Sequence, residues 1–290
     1  MLKKMIPALC VLLATGSAAA QNENAKSDTV EVTVKVIKKE TGDSVLIDHS
    51  GRKWVRVKAK PANVTTSWWG MDIGFSNFSD NTDYASAEAQ AYAPGSDASY
   101  FDLRNGKSVN VNIWFFNQRV NLIRHVVNLK YAVGLELNNY RYKSNIRYNE
   151  EPSLTQVVMM DATPGRSYKK NKLAADYLTV PLMLNFNFLP ENKRTVSASK
   201  SGVSVSSSYG YGFSAGVSAG YLYTSRNKFI TSDEGKRKIK DDFGLRPWKI
   251  SYVGEVNLGY VSIYGSYATK SMYKHGLDMT PYNVGLRFGF

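Results

Sequence analysis

The chain has 290 residues, a formal charge of +13, 19 tyrosines and a single cysteine, Cys10. One cysteine excludes a disulfide framework and a thiolate metal cluster. A mean hydropathy of −0.32, with no apolar run near the roughly 20 residues a spanning helix needs, excludes a helical membrane protein.

In chain order, the first element is a leader. "MLKKMIPALCVLLATGSAAAQ" has a basic start at Lys3 and Lys4, an apolar run from Met5 to Leu13 and the small-residue ending Ala18-Ala19-Ala20. That is the layout of a secretory signal peptide over residues 1–20. Cys10 lies too early, after Pro7-Ala8-Leu9, to be a lipidation site. Residues 21–66 form an N-terminal periplasmic segment: "VEVTVKVI" alternates, and "VLIDHSGRKWVRV" reads as a hairpin across Asp48-His49-Ser50-Gly51. A lone hairpin is marginal in water, so the segment either packs under a larger body as a flap or stays partly disordered. For an exported basic chain the expected counter-charge is anionic lipid or polysaccharide, and no nucleic-acid partner is expected.

From residue 67 the pattern is one of strands about ten residues long. "WGMDIGFSNF" puts Trp69, Met71, Ile73 and Phe75 on one face and Gly70, Asp72, Gly74 and Ser76 on the other. "VNVNIWFFN" alternates Val109, Val111, Ile113 and Phe115 with Asn110, Asn112, Trp114 and Phe116. "VNLKYAVGLELN", from Val127 to Asn138, is the cleanest; "LTVPLMLNFNF" follows from Leu178 to Phe188, and "GYGFSAGVSAGYLY" from Gly210 to Tyr223. Strands six and seven run from Trp248 to Leu258 and from Val261 to Thr269 around a turn near Gly259. The eighth is "YNVGLRFGF" at the end of the sequence.

Such alternation suits two architectures. A soluble sandwich or lipocalin-like barrel would turn the bulky face inward, and a transmembrane barrel would turn it outward. The small face is rich in Gly, Ser and Ala, which suits a narrow lumen, while the bulky face ends in aromatic residues, as interfacial girdles do. The expected fold is therefore all-β: an eight-stranded antiparallel transmembrane β-barrel over residues 67–290, preceded by a short N-terminal periplasmic β-hairpin segment. Long connections after strands one, three and five and short ones after two and six place both termini on the periplasmic side of a Gram-negative outer membrane. The connection after strand four breaks that rule, and part of it is expected to extend the strands.

Three motifs carry a family resemblance: "SWWGMDIGFSNF", "DYLTVPLMLNF" and "VSIYGSYATKSMYKHG" followed by "TPYNVGLRFGF". Together they resemble the small outer-membrane β-barrel domain abundant in Bacteroidetes, the PorT-like group. The resemblance implies that Tyr282, Val284, Leu286, Phe288 and Phe290 form the terminal signal read by the outer-membrane assembly machinery. It also implies, as an alternative role, an accessory component of a transport or protein-secretion system with a secretion or uptake partner.

A barrel of about eight strands is nearly filled by its own side chains. Asp72, Lys130, Glu136, Lys249, Glu255 and Arg287 all point charge into that lumen, so a paired network is expected, with Asp72 and Arg287 neighbours across the closing seam. The competing reading is an ion path. Of the three histidines, His49 falls in the leading segment, His125 in a periplasmic turn and His275 in a solvated outer loop, so no nucleophile–base pair is predicted. No metal-ligand spacing occurs, "YGYGFSAG" opens no helix that could cradle a phosphate, and no cofactor is expected. A basic outer-loop patch is expected at Lys236, Arg237, Lys238 and Lys240, facing lipopolysaccharide phosphates or an acidic partner, with Arg166, Lys169, Lys170 and Lys172 adding to it.

The functional expectation is a non-enzymatic outer-membrane barrel with a plugged lumen, anchoring extracellular loops for envelope structure or surface interaction. A rim-site lipid-modifying enzyme is the remote alternative. For the architecture, Leu135→Arg on the lipid face should be costly and Gly134→Ser on the lumen face cheap.

Overall fold

The computed structural model describes residues 45–47, 53–55, 63–149, 155–188, 194–199, 202–207, 211–259 and 261–288. The leader and Phe290 lie outside these residues. Eight long strands form the main body: β1 (Gly70–Asp80), β2 (Val109–Ile123), β3 (Val127–Arg141), β4 (Tyr168–Asn187), β5 (Tyr211–Thr231), β6 (Trp248–Leu258), β7 (Val261–Ala268) and β8 (Met279–Phe288). Each pairs antiparallel with the next, and β8 pairs with β1, so the sheet closes on itself. Closure leaves no edge strand along the wall, which removes the row of unpaired amides that an open sheet would expose.

The alternation dictates which side is wet. Along β3, buried and part-exposed residues alternate without a break, and the buried set is Asn128, Lys130, Ala132, Gly134, Glu136, Asn138 and Tyr140. The outward set elsewhere is bulky and bare: Ile73, Phe75, Leu182, Leu184, Val217, Ile250, Val256, Ile263, Val284 and Leu286 are each at least 44% exposed. Polar inside and apolar outside is the inverse of a soluble barrel. Aromatic pairs stand at both margins of this wall, with Tyr221 on Trp248 and Tyr267 on Tyr282 toward one end, and Phe186 and Phe188 on Phe213 toward the other. From Phe213 to Tyr221 the strand advances about 26 Å at ~3.3 Å per residue. Tilted by ~40°, that matches an apolar band about 20–25 Å tall.

Tight packing inside depends on glycine where rings lie over the sheet. Gly74 and Gly285 are cross-strand partners beneath the Tyr264 ring, and a Cβ on Gly285 would come within 2.4 Å of the Gly74 Cα. Gly134 is equally constrained: a Cβ there would meet the Ile113 carbonyl at 2.3 Å and the Trp114 ring at 2.7 Å. The expectation that Gly134→Ser would be cheap is therefore wrong. The position faces the lumen, but Trp114 already occupies the space.

Four expectations shift. Phe116 does not face the lumen. A register irregularity between Trp114 and Phe116 pairs Phe116 with the outward Val133 and turns Asn117 inward instead. Strands β4 and β5 run about ten and eight residues further than their apolar alternation suggests, because beyond the apolar band their outward positions become Lys and Arg. The connection from β4 to β5 carries a separate two-stranded sheet of its own, Arg194–Ser199 with Gly202–Ser207. Val64–Ser67 adds a short strand against β2. In the leading segment Val45–Ile47 pairs with Lys53–Val55.

The four connections at the loop end, residues 81–108, 142–167, 232–247 and 269–278, are not simple solvated loops. They meet in one core. Tyr92, Phe101, Tyr142, Ile146, Tyr148, Phe243, Leu245 and Tyr273 are all at most 2% exposed and pack on the inward tops of the strands, where Tyr140, Leu173, Phe229 and Met279 lie. A short helix, α1 (Ala87–Tyr92), capped by the Ser86 hydroxyl, delivers Tyr92 to this core.

Candidate functional site

The lumen is held by charge. Arg287 and Asp72 are direct partners across the β8–β1 seam, and the guanidinium grips the carboxylate at two points, Nε to Oδ1 at 2.8 Å and Nη2 to Oδ2 at 2.7 Å. The third arm of Arg287 reaches Glu255, whose other oxygen takes the Lys130 ammonium. Higher up, Lys249 pairs with Glu136 and lies over the Tyr177 ring. All six groups are at most 9% exposed, and three cations meet three anions.

Neutral donors complete the arrangement. Asn112 and the Trp114 indole both donate to Asp72 at 2.9 Å, while Asn283, Asn138 and Thr179 donate to Glu136 at 3.0–3.2 Å. Ser76 bonds Asn138 and Asn283, and Asn110 donates to Asn112 at 3.0 Å and to Asn138 at 2.9 Å, linking the two clusters. Buried charges are tolerable only when paired and hydrogen-bonded, and here each one is. The space left beside Trp114, Glu136 and Arg287 is about 30 Å³, room for about one or two waters.

Above the lumen, the loop core is itself a polar–aromatic lock. The buried phenols of Tyr142, Tyr148 and Tyr273 form a chain of hydrogen bonds of 2.8 and 3.0 Å, and the Tyr92 hydroxyl donates to the Phe243 carbonyl at 2.8 Å. Burial pushes all four phenols above the ordinary tyrosine range, so they stay neutral donors. At the flank, Arg166 binds Asp161 at 2.8 Å and Asp233 at 2.7 Å, and Arg147 binds Glu234 at 3.0 Å. Burial alone would raise the Asp161 carboxyl, but hydrogen bonds from Thr163, Tyr168 and Arg166 outweigh it and hold the group well below the usual carboxylate range.

The basic patch is rearranged relative to expectation. Beyond the apolar band, β4 and β5 continue as a ribbon, joined on the far edge of β5 by Gly235–Lys240. Register aligns Arg141, Lys172, Lys228 and Lys238 as successive neighbours across four strands, flanked by Lys170, Lys236, Arg226 and Lys240. Asp176 pairs with Arg226. Lys240, then burial, then Arg226 and Lys236 together push the Lys238 ammonium below its ordinary value. Arg237 does not belong to this face. Strand alternation sets it opposite the buried Phe229, on the side of Ile239, with Glu234 3.8 Å away. Arg166 is likewise committed to its carboxylates. Arg141 escapes a reading of the sequence because it lies far from the other cations; strand register alone brings it beside Lys172, Lys228 and Lys238.

The remaining predicted residues are dispersed. Tyr282, Val284, Leu286 and Phe288 lie on the outward face of β8. His125 forms the β2–β3 turn with positive φ, and His275 packs edge-on against Tyr92 rather than standing free in solvent. Neither imidazole hydrogen-bonds a serine, and no cluster of three His, Cys, Asp or Glu side chains could hold a metal, among the described residues. His49 lies outside the described residues.

No family model matches the chain, and no curated protein matches it. Among solved structures the chain is similar to Ail, the attachment invasion locus protein of Yersinia pestis, with a TM-score of 0.30 and 11% identity. That match covers 79% of this chain and 100% of the other. At that level it carries no argument about activity.

Proposed function

We propose that this protein is a non-enzymatic outer-membrane β-barrel of a Gram-negative bacterium, closed to solutes, which anchors a folded extracellular cap. The observation that carries the reading is the lumen: six charges neutralised by one another beneath a buried aromatic core. An ion entering would have to displace the Arg287–Asp72 clamp and the tyrosine chain together. The bare apolar wall, about as tall as a bilayer core, supports the membrane location, since only closed barrels and helices satisfy every backbone group in hydrocarbon.

The cap presents the lysine ribbon. From Tyr221 to Lys228 the strand advances about 23 Å past the aromatic margin at ~3.3 Å per residue, which puts the cations clear of hydrocarbon. Eight positive side chains with Asp176 as the paired acid suit an anionic glycan, lipopolysaccharide included.

The deciding experiment is electrical. Purified barrel in planar bilayers should give no stable conductance steps; large, long-lived steps would end the closed-barrel reading. For the ribbon, Lys236→Gln, Lys238→Gln and Lys240→Gln combined should weaken heparin binding at low salt, whereas Arg237→Gln should not. Equal effects would mean that the face is not the binding surface.

A further inference from the structure

The regular pairing of strands β6 and β7 ends at Ser251 and Ala268, followed by the Thr269 amide donating to the Ile250 carbonyl at 2.8 Å. The two stretches pair again where the Arg246 amide donates to the Met272 carbonyl at 2.7 Å, and beside the intervening segments lies a cavity of about 430 Å³. Its lining mixes the two sides of the sheet. Lys249 and Tyr177 belong to the lumen, while Trp248 and Ile250, 55% and 45% exposed, belong to the outer apolar wall. The cavity therefore lies at the level of the Tyr221–Trp248 margin, lined by residues of both faces.

Its charge is lopsided. Arg246, Lys249, Lys270 and Lys274 line it, and no carboxylate does. Lys249 is neutralised by Glu136 and Lys274 by Asp242, at 3.0 Å. Arg246 and Lys270 have no acidic partner among the described residues. The Arg246 guanidinium has one long contact, Nη2 to the Lys274 carbonyl at 3.4 Å, and its Nε is buried with no hydrogen-bond partner at all. A buried donor without a partner is costly, and a guanidinium fork matches an oxyanion with two acceptors.

We infer that this cavity is a phosphate-binding site, with Arg246 and Lys270 taking the phosphate oxygens and Trp248 and Ile250 forming the wall for whatever apolar tail the phosphate carries. The site lies at headgroup height and goes beyond the closed-barrel reading, because it needs neither a pore nor the lysine ribbon. Two sources share the chemistry: the phosphate of a membrane lipid, and a small soluble phosphate ester.

The test is native mass spectrometry of the full chain folded in neutral detergent, titrated separately with dihexanoyl phosphatidic acid and with glycerol 3-phosphate. Wild type should retain one phosphate ligand, and Arg246→Gln with Lys270→Gln should weaken retention at least tenfold, while Lys107→Gln, exposed and outside both the cavity and the ribbon, leaves it unchanged. Tighter retention of phosphatidic acid makes the source a lipid; equal retention of both makes it a soluble ester. Lys270→Gln alone, at an exposed position, provides a variant that keeps its fold. If neither ligand is retained, or the double variant retains them as wild type does, the site is wrong. Because conductance plays no part in this readout, a conducting barrel would leave the phosphate site standing.

Discussion

Arg287→Met would leave two carboxylates facing a space that water barely reaches. Arg287 donates to Asp72 twice and to Glu255 once. Glu255 keeps Lys130 and Asp72 keeps its two neutral donors, so neither is stripped bare. Asp72, however, is 0% exposed and loses its only directly paired cation among the described residues. Breaking a buried pair from one side costs about 3–5 kcal/mol, mostly the penalty of the charge left behind. Asp72→Asn added to Arg287→Met should recover part of that loss, because an amide oxygen can still accept from Asn112 and Trp114. The expected coupling in the double-mutant cycle is about 2–3 kcal/mol. Reversible urea unfolding in phosphocholine vesicles, followed by tryptophan emission, measures each variant. A single-variant loss under about 1 kcal/mol, or a double variant no better than Arg287→Met, would refute the idea that the pair closes the seam.

Other expectations follow from the wall and the cap. Leu135→Arg should cost about 2–4 kcal/mol in the same assay, if the outer face meets hydrocarbon. Gly134→Ser should also be destabilising, by about 1–3 kcal/mol, because Trp114 and the β2 backbone leave no room; a neutral result would contradict that packing. Tyr148→Phe breaks two buried hydrogen bonds and should cost about 1–3 kcal/mol locally, read as faster proteolysis of the loops with the barrel still heat-modifiable. Asp161 titrates low in the folded cap, so its contribution is complete above the unfolded value of about 3.9 and is lost as pH falls below it. Hydrogen exchange near Tyr168 should therefore quicken below about pH 4, and Asp161→Asn should abolish that acid step.

Where local alternation decides structure, the sequence is legible. Trp248–Leu258 has the same bounds by pattern and by structure, because nothing but the period of two is needed to read it. The Asp72–Arg287 partnership is legible too, since closure forces the first and last strands together. Phe116 is not. A bulge shifts the alternation by one residue, and no composition marks it. The ribbon beyond Leu178 and Tyr221 looks like loop in the sequence because its outward residues are charged; charge is what an outward strand carries once it has left hydrocarbon. The cap is hidden for a different reason. Its rings come from Tyr92, Tyr148, Phe243 and Tyr273, spread over most of the chain with no period linking them. The one available signal is how many aromatic residues the supposed loops contain.

That dispersed cap limits how the surface can vary. A change in one connection must be matched by the other three or the shared centre comes apart. Grafting a foreign epitope should succeed at outlying tips such as Gly165, where open space surrounds the backbone, and fail around Gly276, which lies against Tyr92. The exterior of this molecule would then drift as a unit, slowly, while its fringes change freely.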